Sequence, residues 1–379
     1  MKIIVSISFF VLGLFSAFSQ INNVTEQFLL PSSLKESSGV IVFNNKLITH
    51  NDSGGENKLY EIDMMTEQIT RIITISNAVN VDWEDITQDD TSIYVGDIGN
   101  NNGNRTDLKI YKINKTDYIN RTNVTAETIA FEYADQTNTI SNPNNTIWDA
   151  EALVSIDANN LILFTKNWVD GVTKAYTIPK TSNLLDPYSV NPQLTTLNSG
   201  GLITGGTYNN ATGKLYLVGY NNVLQPFVWA SEDFNTDTIF SGTNTQTVLS
   251  SLAQEQVEAI AFVDENSYLV TSESFSISVG PITVSDDAKL ISFSTNDDLL
   301  SITSFANENA IVLYPNPVNH ILKVEGSEIV FIEIFDTKLT KIYSGNAKSI
   351  DVSAFTEGIY IVKIHLKSNR VRVKKFIKK

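Results

Sequence analysis

The chain has 379 residues, 42% of them hydrophobic, and a formal net charge of −15, long enough for more than one domain and apolar enough for packed cores. It has no Cys and only three His (His50, His320, His365), which excludes disulfides and thiolate chemistry and argues against a multi-His zinc or iron centre. Residues 313–379 carry 12 Lys and Arg against 6 Asp and Glu, leaving 15 against 36 for residues 1–312; so acidic a body repels phosphate backbones, gathers cations and is not expected to bind nucleic acid.

In chain order, the first element reads as a targeting segment. Lys2 supplies its positive end, Ile3 to Phe18 its apolar run, and Ala17-Phe18-Ser19 before Gln20 a small-residue cleavage pattern. Residues 1–19 are therefore read as a signal peptide, with the mature protein beginning near Gln20. No other apolar run reaches about 18 residues, so an exported protein without a transmembrane segment is expected.

A β-hairpin pattern then recurs five times. Two short runs of β-branched, aromatic and aliphatic residues are separated by a turn, and polar or acidic residues stand at the open end. The first pairs Ser37–Phe43 with Lys46–His50 across Asn44-Asn45, the second Val81–Thr87 with Ser92–Asp97, the third Asp149–Val154 with Asn160–Lys166. The fourth pairs Gly205–Tyr208 with Lys214–Gly219, the fifth Val257–Phe262 with Ser267–Glu273. Their anchor residues, taken as Val40, Ile86, Leu153, Tyr208 and Ile260, lie 46, 67, 55 and 52 residues apart, a spacing that suits four-stranded propeller blades with varied loops.

Each hairpin is followed by a third strand, and the first four by a fourth. After Phe293 the fifth turns polar instead, so Thr25–Leu30 is the strand expected to close the ring and leave no open edge. The expectation is an all-β chain: a five-bladed β-propeller over residues 20–296, with six blades as the competing count, then a linker at 297–311.

Two residues before the anchors stand Ser38, Glu84, Glu151, Gly206 and Glu258. In a propeller the innermost strands line a central channel, so three carboxylates and a hydroxyl would meet there. Like charges that close stay ionised only if a cation is shared. Oxygen-only donors point to calcium, with magnesium or manganese behind it, on Ser38, Glu84, Glu151 and Glu258. Asp52, Asp97 and Glu273 end second strands on the same face and would add outer charge. Acidic residues at blade starts also cap backbone N–H groups and bind only water, which is the competing reading. Arg105 and Lys166 are candidates to hold an anion against the ion and Trp168 to stack on a ring; His50, inside a strand, reads as packing. For hydrolysis, Glu84 or Asp97 would take the proton of a water on the ion. No Gly-x-Ser-x-Gly elbow and no P-loop occurs, so serine-esterase and P-loop chemistry lack support.

The motifs Ser38-Gly39-Val40-Ile41-Val42-Phe43-Asn44-Asn45-Lys46-Leu47, Trp83-Glu84-Asp85-Ile86, Ala150-Glu151-Ala152-Leu153 and Val257-Glu258-Ala259-Ile260 follow in this order on the blades. Across roughly residues 36–275 they resemble the calcium-activated nucleotidases (apyrases). In that family a Ser, two Glu, a Ser and a further Glu at the blade starts surround a channel calcium, and nucleoside di- and triphosphates are hydrolysed. The resemblance implies calcium at Ser38, Glu84, Glu151 and Glu258, with Gly206 where the second Ser would stand. Asn51-Asp52-Ser53-Gly54 replaces the family's Asp-Asp-Arg-Thr-Gly, so its Arg is missing.

The last stretch carries strand-like runs at Ile321–Val324, Val330–Phe335, Lys341–Tyr343, Ile359–His365 and Arg372–Ile377, with turns at Gly326, Gly345 and Gly358. They make a small Ig-like β-sandwich over residues 312–379. Tyr314-Pro315-Asn316-Pro317, Ile334-Phe335-Asp336, Leu339, Asp351-Val352-Ser353, Gly358–Val362 and the basic end Val373–Lys379 together closely resemble the C-terminal sorting domain of the type IX (Por) secretion system of Bacteroidetes. The resemblance implies the type IX machinery as a partner and a secreted or outer-membrane-surface location. Two functions stay open: a calcium-dependent hydrolase of nucleotide or other phosphorylated or ester substrates, and a non-catalytic surface module for a small molecule, glycan or protein.

Overall fold

The computed structural model describes residues 21–280, 282–297, 311–326, 329–337, 340–367 and 371–379. The expected signal peptide at 1–19, most of the expected linker, and Leu339 of the tail motif lie outside the described residues. The chain divides into two compact units between residues 299 and 300.

The first unit opens with β1 (Ile21–Leu29) and a sheet of β2 (Ser37–Phe43), β3 (Lys46–Asn51), β4 (Lys58–Asp63) and β5 (Gln68–Ile75). Asn44 and Asn45 join β2 to β3 with φ of 51° and 59°, the left-handed pair that a two-residue hairpin needs and that Asn tolerates. The second sheet has β6 (Trp83–Gln88), β7 (Ser92–Asp97) and β8 (Lys109–Asn114). After helix α1 (Lys115–Asn120), β9 (Asn123–Val124) pairs in parallel with β5, and β10 (Glu127–Tyr133) completes the second sheet. The third sheet is β11 (Ala150–Ser155), β12 (Asn160–Thr165), β13 (Val172–Pro179) and β15 (Pro192–Asn198), while β14 (Tyr188–Val190) returns in parallel to β10. The fourth is β16 (Leu202–Asn209), β17 (Lys214–Tyr220), β18 (Pro226–Glu232) and β19 (Thr243–Val248). In the fifth, β20 (Gln256–Asp264) and β21 (Ser267–Glu273) are followed by a separate hairpin, β22 (Phe275–Val279) with β23 (Ile282–Asp286), and then β24 (Lys289–Thr295). Its outer strand is β1, antiparallel to β24 from Ile21 opposite Thr295 to Leu29 opposite Lys289.

The first strands of the five sheets pack on one another in a cycle: β2 on β6, β6 on β11, β11 on β16, β16 on β20 and β20 on β2. The arrangement is propeller-like, and it has no single core. Apolar clusters lie between successive sheets, such as Ile48, Trp83 and Tyr111 between the first and second, or Leu47, Ala259 and Leu290 between the fifth and first. Each inner hairpin therefore buries both faces, which is why β12 and β17 read as nearly unbroken apolar runs rather than alternating ones. Asp297, counted with the linker in the sequence, is buried in this unit, where it accepts from Lys214 Nζ at 2.8 Å and from Tyr216.

The second unit holds two sheets. One is β25 (Val312–Tyr314), β26 (Ile321–Glu325) and β29 (Ser349–Asp351); the other is β28 (Lys341–Gly345), β27 (Ile329–Phe335), β30 (Gly358–Leu366) and β31 (Val371–Lys378). Leu322, Val324, Ile332, Ile334, Val362, Ile364 and Phe376 form one shared core from both sheets.

Candidate functional site

Every innermost strand of the first unit carries an irregularity at the same place. In β2 the pairing with β3 slips between Ser37 and Val40; in β6 between Trp83 and Ile86; in β11 between Ala150 and Ala152; in β16 between Ile203 and Gly205; in β20 between Val257 and Ala259. A bulge of this kind adds one residue to a strand and re-aims its side chain. Matched by pairing register, the extra residues are Ser38, Glu84, Glu151, Thr204 and Glu258. The fourth position is thus Thr204 and not Gly206: the anchor of that sheet lies two residues earlier than the sequence suggested. The two hydroxyls behave alike, Ser38 Oγ donating to Glu84 O and Thr204 Oγ1 to Val257 O, both at 2.6 Å.

The three glutamates are buried and brought together. One oxygen each from Glu84, Asp149 and Glu151 lies within 4.8 Å of the others, and the same holds for Asp52, Asp82 and Glu84. Glu258 stands near enough to Glu151 for its charge to raise the Glu151 pKa. Gly99 lies against them, and a Cβ there would displace the Glu84 and Asp82 carboxylates.

Burial raises the pKa of each of these acids, and neighbouring charge adds to it. Glu84 stands well above the usual range through burial and then Asp52; Asp82 is pushed up to about 7 by burial and Asp52. Burial likewise lifts Asp52 to about 6, Glu273 to about 7 and Glu258 to about 8. Glu151 is raised by burial against the pull of Lys166.

Lys166 Nζ donates to both oxygens of Glu151 at 2.6 Å and sits over the rings of Trp168 and Tyr220, 5.0 and 5.7 Å from their centroids. Burial works most strongly against its charge, but Glu151, Tyr220, Glu258 and Asp149 together outweigh it and hold the ammonium protonated. Trp168 Nε1 donates to Asp149 Oδ2 at 2.7 Å. Arg105 donates to Asp97 Oδ1 at 2.9 Å and to Gly99 O at 2.8 Å. Lys166, Trp168 and Arg105 therefore each hold an acid or carbonyl of the protein itself, and Asp97 lies in an ion pair beside the cluster. His50 is buried against Trp83 with its pKa lowered to about 4 by burial, a neutral packing ring.

Asp82 and Asp149 are members of the cluster that the strand pattern alone does not single out. Each stands two residues before a ring glutamate, in Asp82-Trp83-Glu84 and Asp149-Ala150-Glu151, so the acid-x-acid spacing is the available signal. Asp85 does a different job. Fully buried, it accepts from the N–H of Ile86 and Leu153, both at 2.8 Å, and joins neighbouring inner strands without any cation.

Comparison with known proteins bears on the two units differently. Residues 312–379 match the secretion system C-terminal sorting domain. That part of the chain is a type IX sorting tail, which directs secretion to the cell surface or beyond. Comparison with curated proteins gives no match. Among solved structures, the PQQ-bound aldose sugar dehydrogenase of Streptomyces coelicolor shares 8% identity at a TM-score of 0.39, covering 72% of this chain and 98% of that one. A glucose dehydrogenase shares 8% at 0.42, covering 73% and 100%, and the mitotic checkpoint complex 9% at 0.35, covering 79% and 98%. Likeness at this level carries no argument about cofactor or substrate. Among the described residues no helix is long and apolar enough to cross a membrane.

Proposed function

We propose that this is an exported surface protein whose first unit is a five-bladed β-propeller binding a divalent cation at its hub, calcium ahead of magnesium or manganese, and whose tail is an Ig-like sandwich. The observation that carries this reading is the set of oxygens of Asp52, Asp82 and Glu84 within 4.8 Å of one another. Carboxylate oxygens alone suit a hard cation, and calcium tolerates the irregular geometry that three separate loops and strands impose. Glu84 with Asp52 and Asp82 would hold the ion, while Ser38, Glu151, Thr204 and Glu258 shape the ring beside it. Bound there, such an ion supplies a Lewis acid and a water of lowered pKa.

The activity we assign to it is hydrolysis of nucleotide or other phosphorylated or ester substrates. Its support is the order Ser38, Glu84, Glu151, Thr204, Glu258, in which a hydroxyl stands at the fourth position as in the apyrases. Glu84 is the base at the centre of the cluster; Asp97 is turned to Arg105. A second reading, a non-catalytic module for a glycan or protein, is favoured by Lys166 and Arg105 already holding carboxylates, which leaves neither to hold a substrate anion.

Turnover of nucleoside diphosphates with calcium and with a chelator, in the wild type and in Glu84→Gln and Glu258→Gln, separates the two. Calcium-dependent turnover lost in both variants supports the hydrolase. A calcium-dependent rise in melting temperature without turnover supports the module, and the absence of both heat of calcium uptake and a melting shift refutes the cation.

A further inference from the structure

A cavity of about 670 Å³ opens between the loops that follow β12 and β17, lined by Trp168, Tyr220, Gly171, Gly200 and Gly201 among others. Its size is that of a small-molecule site. Two of the glycines, Gly171 and Gly200, have φ of 69°, a conformation that keeps side chains off that part of the lining. Among the described residues none that lines it is basic, and the Lys166 ammonium behind the rings is engaged by Glu151. Asp170, its acid, lies exposed at the rim and accepts from the N–H of Val172 at 3.0 Å. The lining thus offers nothing to hold an anion, and its single exposed acid is already turned to the backbone.

We infer that this cavity binds the ring of a neutral sugar. Trp168 is half-buried while Tyr220 is buried, so one aromatic surface is open rather than two. A planar base gains most when stacked between two apolar walls, whereas a sugar ring needs one aromatic surface for its C–H face and polar groups for its rim. Those groups are present. Asn221 turns its oxygen to the N–H of Val223 and Gln225, both at 3.0 Å, leaving its amide N–H to donate, and Asn222 stands exposed at the rim. The inference goes beyond the proposed hydrolase and does not rest on the hub cation.

The test is binding of the full chain to an array of neutral glycans, followed by calorimetric titration of the best ligand in the presence of a chelator. Working without divalent ions makes failure here distinct from failure of the cation reading. Trp168→Ala is expected to weaken binding about tenfold or more, the equivalent of one good aromatic contact. Trp168→Phe, which keeps an aromatic face and loses only the bond to Asp149, is expected to retain most of it, and Asn222→Ala to weaken it about threefold. Retention of no neutral glycan above the level of Trp168→Ala would overturn the assignment. So would binding of free nucleosides but not glycans, or glycan binding indifferent to Trp168→Ala and Asn222→Ala alike.

Discussion

Removing divalent cations should make stability fall as pH rises from 4 to 8, the reverse of an ordinary acidic protein. Asp82 carries the argument. Below pH 3.8 it is protonated in both folded and unfolded chains and costs nothing. Between that value and about 7 the unfolded chain releases the proton and the folded one keeps it, so stability drains away. At 1.36 kcal/mol for each pH unit, the rise from 3.8 to about 7 is worth about 4 kcal/mol. Asp82 is only 8% exposed, so solvent screening removes little of it. In a unit of this size about 2 °C accompanies each kcal/mol, giving a fall of about 8 °C. Carboxylates held low elsewhere, such as Asp63 at about 2 through its bond to Lys46, titrate below this window. Thermal melts across pH 4 to 8.5 in chelator, repeated with millimolar calcium and with Asp82→Asn, measure the effect. Calcium should restore the high-pH melting temperature, and Asp82→Asn should make the curve shallower, with the remainder carried by the other raised acids. A melting temperature that is level or rises with pH in chelator would refute the reasoning.

Two further substitutions test the frame around the site. Lys289→Met removes the ammonium that meets Glu255 at 2.7 Å and Asp286 at 2.8 Å; with Glu255 fully buried, its uncompensated charge should cost about 3–5 kcal/mol in denaturant unfolding. Adding Glu255→Gln should recover part of that loss, and strict additivity of the two would show that no coupling exists. Gly99→Ala should leave the melting temperature in chelator within a few degrees yet abolish the calcium-dependent rise, because the new methyl displaces the Glu84 and Asp82 carboxylates; an unchanged calcium response would show that these oxygens do not act together.

The strands of the inner hairpins are legible in the sequence because burial on both faces writes them as apolar runs, and the closing strand because the fifth sheet lacks an outer partner. The bulges are not legible. A bulge is a mismatch between two strands and leaves no mark on either one alone. In β16 the stretch Thr204-Gly205-Gly206-Thr207 offers no side-chain alternation to fix a register, which puts the expected anchor two residues late. Lys166 reads as free for a ligand because its place opposite the third inner strand depends on the same register: Lys166 N donates to Asp149 O, which sets its side chain against Glu151. The parallel strands β9 and β14 are two and three residues long, too short for periodicity to reveal.

The pairing of β1 with β24 joins residues 260 or more positions apart. Such a clasp fastens only once the last sheet exists, so the opening segment of the unit must wait, unpaired, while everything between is made. A chain organised this way completes its fold as a late, single event, and any nick or trimming that takes the opening segment would leave β24 as a bare edge for another chain to occupy.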